Sequence, residues 1–197
     1  LKRRGYKVIS VDQFIDEEIA GRPHDRKSVV ITFDDGYDNN HGAAYPVLRK
    51  YGFPATVFVE VARLGTPGYL SWDQVRDMDA HGMTAGSHTM TGAYLPGLPH
   101  ARAVEEITES KRSLEMSLGR PVRFLAYPIG GFSEDIKRAV REAGYAAAFT
   151  SNRGYRRQSR DLYEIRRIRV KDSDGSLQLW AKLSGYYNFF RNVKNPF

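Results

Sequence analysis

Val29–Tyr37 reads VVITFDDGY, and the fold follows from how that stretch is read. Val29 to Phe33 are all β-branched or aromatic, without period-two alternation. That pattern suits a strand buried on both faces, as in a parallel sheet. Two adjacent carboxylates, Asp34 and Asp35, follow it, and then Gly36. Adjacent carboxylates repel, so a fold that keeps both beside a buried strand has a cation or a proton for them to share. A DDG sequence is also ordinary turn chemistry that caps the next helix, so the rest of the chain has to decide.

Working outward, the chain alternates strand and helix. Tyr6 to Ser10 is predicted as a strand and Val11 to Ala20 as an amphipathic helix stopped by Gly21 and Pro23; Lys27 to Phe33 is the strand already read. Ala43 to Tyr51 is a helix with Pro46 in its first turn and Gly52 past its end. Ala55 to Val61 is a second continuous apolar strand, and Ser71 with Gln74 is a capping box opening the helix SWDQVRDMDAHG. Met83 to Ser87 is a strand delivering His88, and Ala101 to Leu118 the longest helix. Val122 to Tyr127, Ala146 to Thr150 and Tyr163 to Val170 are further strands, with helices at Ser133 to Ala143 and Ser176 to Leu183. Short connections in a repeated strand–helix order imply right-handed crossovers and a parallel sheet with helices outside, doubly wound or closed into a barrel. In both forms chemistry gathers at the C-terminal strand ends.

Composition narrows the partners. The 197 residues are 41% hydrophobic, which suits one domain over residues 1–197. No apolar run is as long as a membrane span, and the first residues lack the apolar core of a signal peptide, so a leader is expected to be missing from the start of the sequence. The chain has no cysteine, so any metal is held by His, Asp or Glu. A net charge of +7 suits a polyanionic neighbour, but no nucleic-acid motif accompanies it and no specific nucleic acid is expected.

The strand ends carry Asp34 and Asp35, His88 and Thr89, Tyr127 and Pro128, Thr150 and Ser151, and the arginines around Arg167. An Asp and a His from different strands make a partial site for a divalent metal. TFDDGY at Thr32–Tyr37, SHTMT at Ser87–Thr91 and FLAYPIG at Phe124–Gly130 resemble the first three motifs of the polysaccharide deacetylases, the NodB-homology or carbohydrate esterase family four domain. The likeness continues through AYPVLRKYGFPATVFV, YLSWDQVRDM, REAGYAAAFT and RRIRV, in order and with short gaps.

The resemblance implies a distorted (β/α) barrel of about seven parallel strands and metal-dependent hydrolysis of acetamido groups on an N-acetylglucosamine-containing polysaccharide. It implies zinc, with cobalt or nickel as substitutes, held by Asp35 and His88. By the same resemblance Asp34 is the base acting on a metal-activated water, the backbone N–H of Tyr127 an oxyanion donor, and Arg167 the partner that orients Asp34. Arg166 is the lesser candidate because adjacent strand residues face opposite ways. Tyr127, Pro128, Tyr94 and Leu95 are expected to line the substrate groove. An extracellular or cell-surface monomer is expected, and the AYP form of the third motif leans toward the biofilm exopolysaccharide branch.

The chain departs from the pattern in two places. The second motif resembles one with a second metal-binding His four residues after His88, where this chain has Gly92. A catalytic zinc site needs three protein ligands. No histidine occurs after His100, so the family's C-terminal general acid has no counterpart. His41 and His100 are weak stand-ins, and His24 and His81 weaker. The alternative is therefore a homologue that binds carbohydrate or acts as a scaffold at the cell surface without turnover.

Overall fold

The structure, a computed structural model, describes residues 1–25, 27–152 and 161–184. The aromatic, basic stretch YYNFFRNVKNPF at the end of the sequence lies outside the described residues. Eight strands and six α-helices run through the described residues: β1 (Lys7–Val8), α1 (Val11–Ile19), β2 (Ser28–Val29), β3 (Thr32–Phe33), α2 (Tyr45–Tyr51), β4 (Ala55–Val59), α3 (Trp72–Ala80), β5 (Met83–Ser87), α4 (His100–Leu118), β6 (Phe124–Ala126), α5 (Glu134–Glu142), β7 (Ala147–Thr150), β8 (Ile165–Arg166) and α6 (Ser176–Leu183). Strands β3 to β8 form one all-parallel sheet in sequence order, and β1 and β2 form a separate parallel pair. The expected distorted barrel is present, curled from six strands with the pair beside it, where about seven strands in one sheet were expected.

The opening stretch is two strands. Val8 pairs with Val29 in the small sheet, whereas Thr32 pairs with Thr56 in the large one. The chain changes partner at Val30 and Ile31, whose carbonyl side passes to β4 through the Thr56 N–H on Ile31 O at 3.0 Å. Residues 28–33 are also half-buried rather than buried on both faces, because β3 is an edge strand with β4 as its single neighbour. The continuous apolar run that is fully buried is Ala55–Val59, in the sheet interior.

The two faces of the sheet divide the core. Phe58, Phe124, Ala126, Ala147 and Phe149 meet Val11 and Ile15 of α1 in one cluster inside the curl. Val57, Val59, Leu125 and Ala148 face the other way and pack with residues of the outer helices, including Val75, Ile107, Leu114 and Val140. The Ser71–Gln74 capping box forms as predicted. The predicted strand Tyr163–Val170 is paired only at Ile165–Arg166, and Arg167 extends it by donating its N–H to Thr150 O at 3.0 Å.

Register sets what stands together at the C-terminal ends. Val59 aligns with Ser87, Ser87 with Leu125, and Thr150 with Arg166. The residues one step further along β4 and β5 are Glu60 and His88.

Candidate active site

Backbone strain gathers where the strands end. Asp35, Thr89 and Ile129 are the non-glycine residues with positive φ among those described, at 70°, 65° and 59°. Each follows a strand of the sheet within three residues, and such conformations persist where the surroundings over-determine them. Gly36 continues the left-handed turn at φ 78°, and a Cβ there would stand 2.9 Å from Val59 Cγ1. The turn thus needs glycine at 36, and it separates the two carboxylates.

Asp34 turns toward β8. Arg167 grips it with both terminal nitrogens, Nη1 to Oδ1 at 2.6 Å and Nη2 to Oδ2 at 2.8 Å, and Nη1 also donates to Thr32 Oγ1 at 3.2 Å. The guanidinium lies over the Phe58 ring, 5.3 Å from its centroid. Arg166 instead pairs with Glu164, at 3.1 Å.

Asp35 turns toward β5. Its Oδ1 is 3.4 Å from His88 Nε2, and the His88 ring is buried. His88 Nδ1 donates to Ala126 O at 2.8 Å, which fixes the tautomer: a carbonyl only accepts, so in neutral imidazole the Nε2 lone pair faces Asp35. When Nε2 also carries a proton it donates to Asp35, and this hydrogen bond, with Tyr37 helping, holds the Asp35 carboxyl below its ordinary range against burial. A buried imidazole nitrogen and a carboxylate facing each other, with the second ring nitrogen anchored, fit a divalent cation with nitrogen and oxygen ligands. Among the described residues, however, no three His, Asp or Glu side chains are gathered closely enough to hold a metal ion as they stand.

The loop after His88 is clamped by α4. Glu106, buried, accepts from Thr91 N at 2.8 Å and from Thr91 Oγ1 at 2.9 Å, while the Met90 N–H donates to Glu106 O at 3.1 Å. Gly92, at φ 74°, donates its N–H to Thr89 Oγ1 at 3.1 Å.

Other expected site residues stand elsewhere. The Tyr127 N–H donates to Phe149 O at 2.9 Å, so in this structure that donor is used in the sheet ladder and not offered to an oxyanion. The Tyr127 ring is fully buried, and its hydroxyl donates to Tyr163 O. Leu95 is also fully buried and belongs to the core, and Pro128 is buried, so neither side chain lies open to a groove. Tyr94 is half-buried, and its ring occupies the space a side chain at Gly131 would need. The stand-in histidines are engaged away from the pair: His41 and His81 with Asp77, and His24 with Glu17 and Glu18, while His100 begins α4 in solvent.

Glu60, directly after β4, also stands at the strand ends, and the sequence reading did not single it out. Its carboxylate is largely buried, 3.1 Å from Arg63 Nε. Burial and then the Asp35 charge push its carboxyl above the usual range, while His88 and Arg63 oppose them. A signal existed: in ATVFVEV the carboxylate follows five buried residues directly.

The polysaccharide deacetylase family pattern matches residues 21–148. The chain belongs to the polysaccharide deacetylase family. It is 34% identical over 170 residues to Bacillus subtilis YxkH, named as a polysaccharide deacetylase, covering 86% of this chain and 61% of that protein. It is 29% identical over 186 residues to the poly-beta-1,6-N-acetyl-D-glucosamine N-deacetylase of Staphylococcus epidermidis, covering 87% and 64%. The chain therefore spans a little under two thirds of these curated relatives. Among solved structures it resembles the Streptococcus pyogenes deacetylase PplD in complex with acetate, with TM-score 0.86, 25% identity, and 92% and 81% of the two chains covered. IcaB from Ammonifex degensii gives TM-score 0.81 and 26% identity over 93% and 84%. Arg167 lies beyond the matched family segment.

Proposed function

We propose that this domain removes acetyl groups from an N-acetylglucosamine-containing polysaccharide at or outside the cell surface. The observation that carries the reading is the division of the Asp34–Asp35 pair, one carboxylate gripped by Arg167 and the other facing a tautomer-fixed His88, in a chain of the deacetylase family. The relative named for poly-beta-1,6-N-acetyl-D-glucosamine favours that polymer class as substrate, and the net charge of +7 favours a polyanionic envelope nearby.

Asp35 and His88 would hold a divalent cation, zinc by preference with cobalt or nickel as substitutes. When bound, such an ion acidifies a water and polarises the acetamido carbonyl. Asp34 is the base. Arg167 uses the two Asp34 oxygens along one edge, and an ionised carboxylate keeps further lone pairs, so Asp34 can still accept the proton of the attacking water. The C–N bond then breaks to give acetate and a free amine. With no histidine after His100, we assign the return of that proton to the leaving nitrogen also to Asp34. Arg167 is a positioning residue that keeps one carboxylate orientation through both transfers.

Acetate release from a β-1,6-linked N-acetylglucosamine oligomer, measured with added zinc or cobalt and with a chelator, tests the assignment. Release that depends on the metal is expected. Saturable oligomer binding without release under any metal would make the domain a carbohydrate-binding homologue instead.

A further inference from the structure

Gly92 leaves the deacetylase metal site one imidazole short, and the volume it vacates is filled. A Cβ built at position 92 would overlap Glu60 Oε1 and Cδ and stand 3.0 Å from Oε2. The Glu60 side chain can swing, but the backbone that carries it is tied on both sides. The Glu60 N–H points to Asp35 O at 3.4 Å, and the next two N–H groups, of Val61 and Ala62, donate to Thr89 O at 3.3 Å and Met90 O at 2.8 Å. The residue after β4 is thereby stitched between the strand end carrying Asp35 and the loop carrying His88 and Gly92. Register agrees, since Val59 pairs with Ser87.

We infer that Glu60 is the third protein ligand of this site, its carboxylate taking the place of the imidazole that Gly92 lacks, so that a divalent cation is held by Asp35, His88 and Glu60. Two carboxylates and one imidazole are an ordinary ligand set for a hydrolytic divalent metal. Glu60 now leans on Arg63, and a rotation about its side-chain bonds exchanges that exposed partner for the ion. The inference rests on the deacetylase reading for the presence of a metal, and it assigns a ligand that the family's His-x-x-x-His motif does not contain.

Zinc titration by calorimetry, with cobalt absorption as a report of ligand geometry, tests it on the folded chain, with circular dichroism confirming the fold of each variant. Wild-type protein should bind one zinc, and Glu60→Gln, Asp35→Asn and His88→Ala should each weaken binding about 100-fold. Gly92→His alone should bind more weakly than wild type, because the new ring and Glu60 compete for one space. Gly92→His combined with Glu60→Ala should bind more tightly than Glu60→Ala. Wild-type affinity in Glu60→Gln, together with loss in His88→Ala, would overturn the assignment while leaving the deacetylase reading intact. Failure of wild type to bind zinc would also overturn it, and acetate release measured in parallel then shows whether the deacetylase reading falls as well.

Discussion

Arg167 and Asp34 show how much depends on single side chains here. The guanidinium satisfies both Asp34 oxygens and Thr32 at once, and a lysine ammonium has no planar fork with which to do so. Arg167→Lys should lower kcat for acetate release roughly 10- to 100-fold with KM little changed. A fall confined to KM would place Arg167 in substrate binding instead. Gly92 is constrained for two reasons, its φ of 74° and the Glu60 carboxylate beside it. Gly92→Ala should therefore cost about 1–3 kcal/mol in chemical denaturation, and a neutral result would mean that Glu60 moves aside freely.

At the scale of elements, the His88 loop is held less by its own sequence than by α4. Buried Glu106 receives two hydrogen bonds from Thr91. Glu106→Ala removes the acceptor of both Thr91 donors, which water can reach, and should cost about 1 kcal/mol. It should also weaken zinc binding about 10-fold, through the freed loop, without touching a ligand. Unchanged zinc affinity would show that the loop keeps its shape unaided. This clamp was not legible in the sequence, because Glu106 sits in an amphipathic helix where a glutamate reads as solvent-facing. What was legible was local: the Ser71–Gln74 box and the strand Met83–Ser87 depend on neighbours in sequence. The break at Val30–Ile31 depends on a change of sheet partner, which no run of apolar residues records. Leu95 and Pro128 were misplaced for a similar reason, since nearness to a motif does not say which side of the backbone a side chain takes. The division of Asp34 from Asp35 was available by resemblance, whereas Glu60 required the register of β4 against β5.

Over the whole molecule, the sheet has two edges, β3 and β8, and Arg167 carries contacts from one to the other. The same region is pinned from outside by Lys137 of α5, buried and 2.9 Å from Asp161, with Glu134 at 2.7 Å. Burial raises the Asp161 carboxyl, but the Tyr163 N–H and the Lys137 ammonium outweigh it and leave the group below its ordinary range. A depressed carboxylate stabilises the fold above its unfolded pKa of about 3.9 and loses that contribution as pH falls through its folded value. Lys137→Met should thus lower stability by about 2 kcal/mol at neutral pH, or roughly 4–8 °C in Tm. The gap to wild type should narrow below about pH 4; a gap independent of pH would mean that Lys137 acts through packing alone. The catalytic claim joins both edges and the strands between, because it gives Asp34 and Asp35 different work. Parallel measurement of zinc binding and acetate release in Asp34→Asn and Asp35→Asn tests it most directly. The account predicts that Asp34→Asn keeps zinc and loses at least ~100-fold in acetate release, while Asp35→Asn loses both; loss of zinc in Asp34→Asn, or retention of turnover, would contradict it.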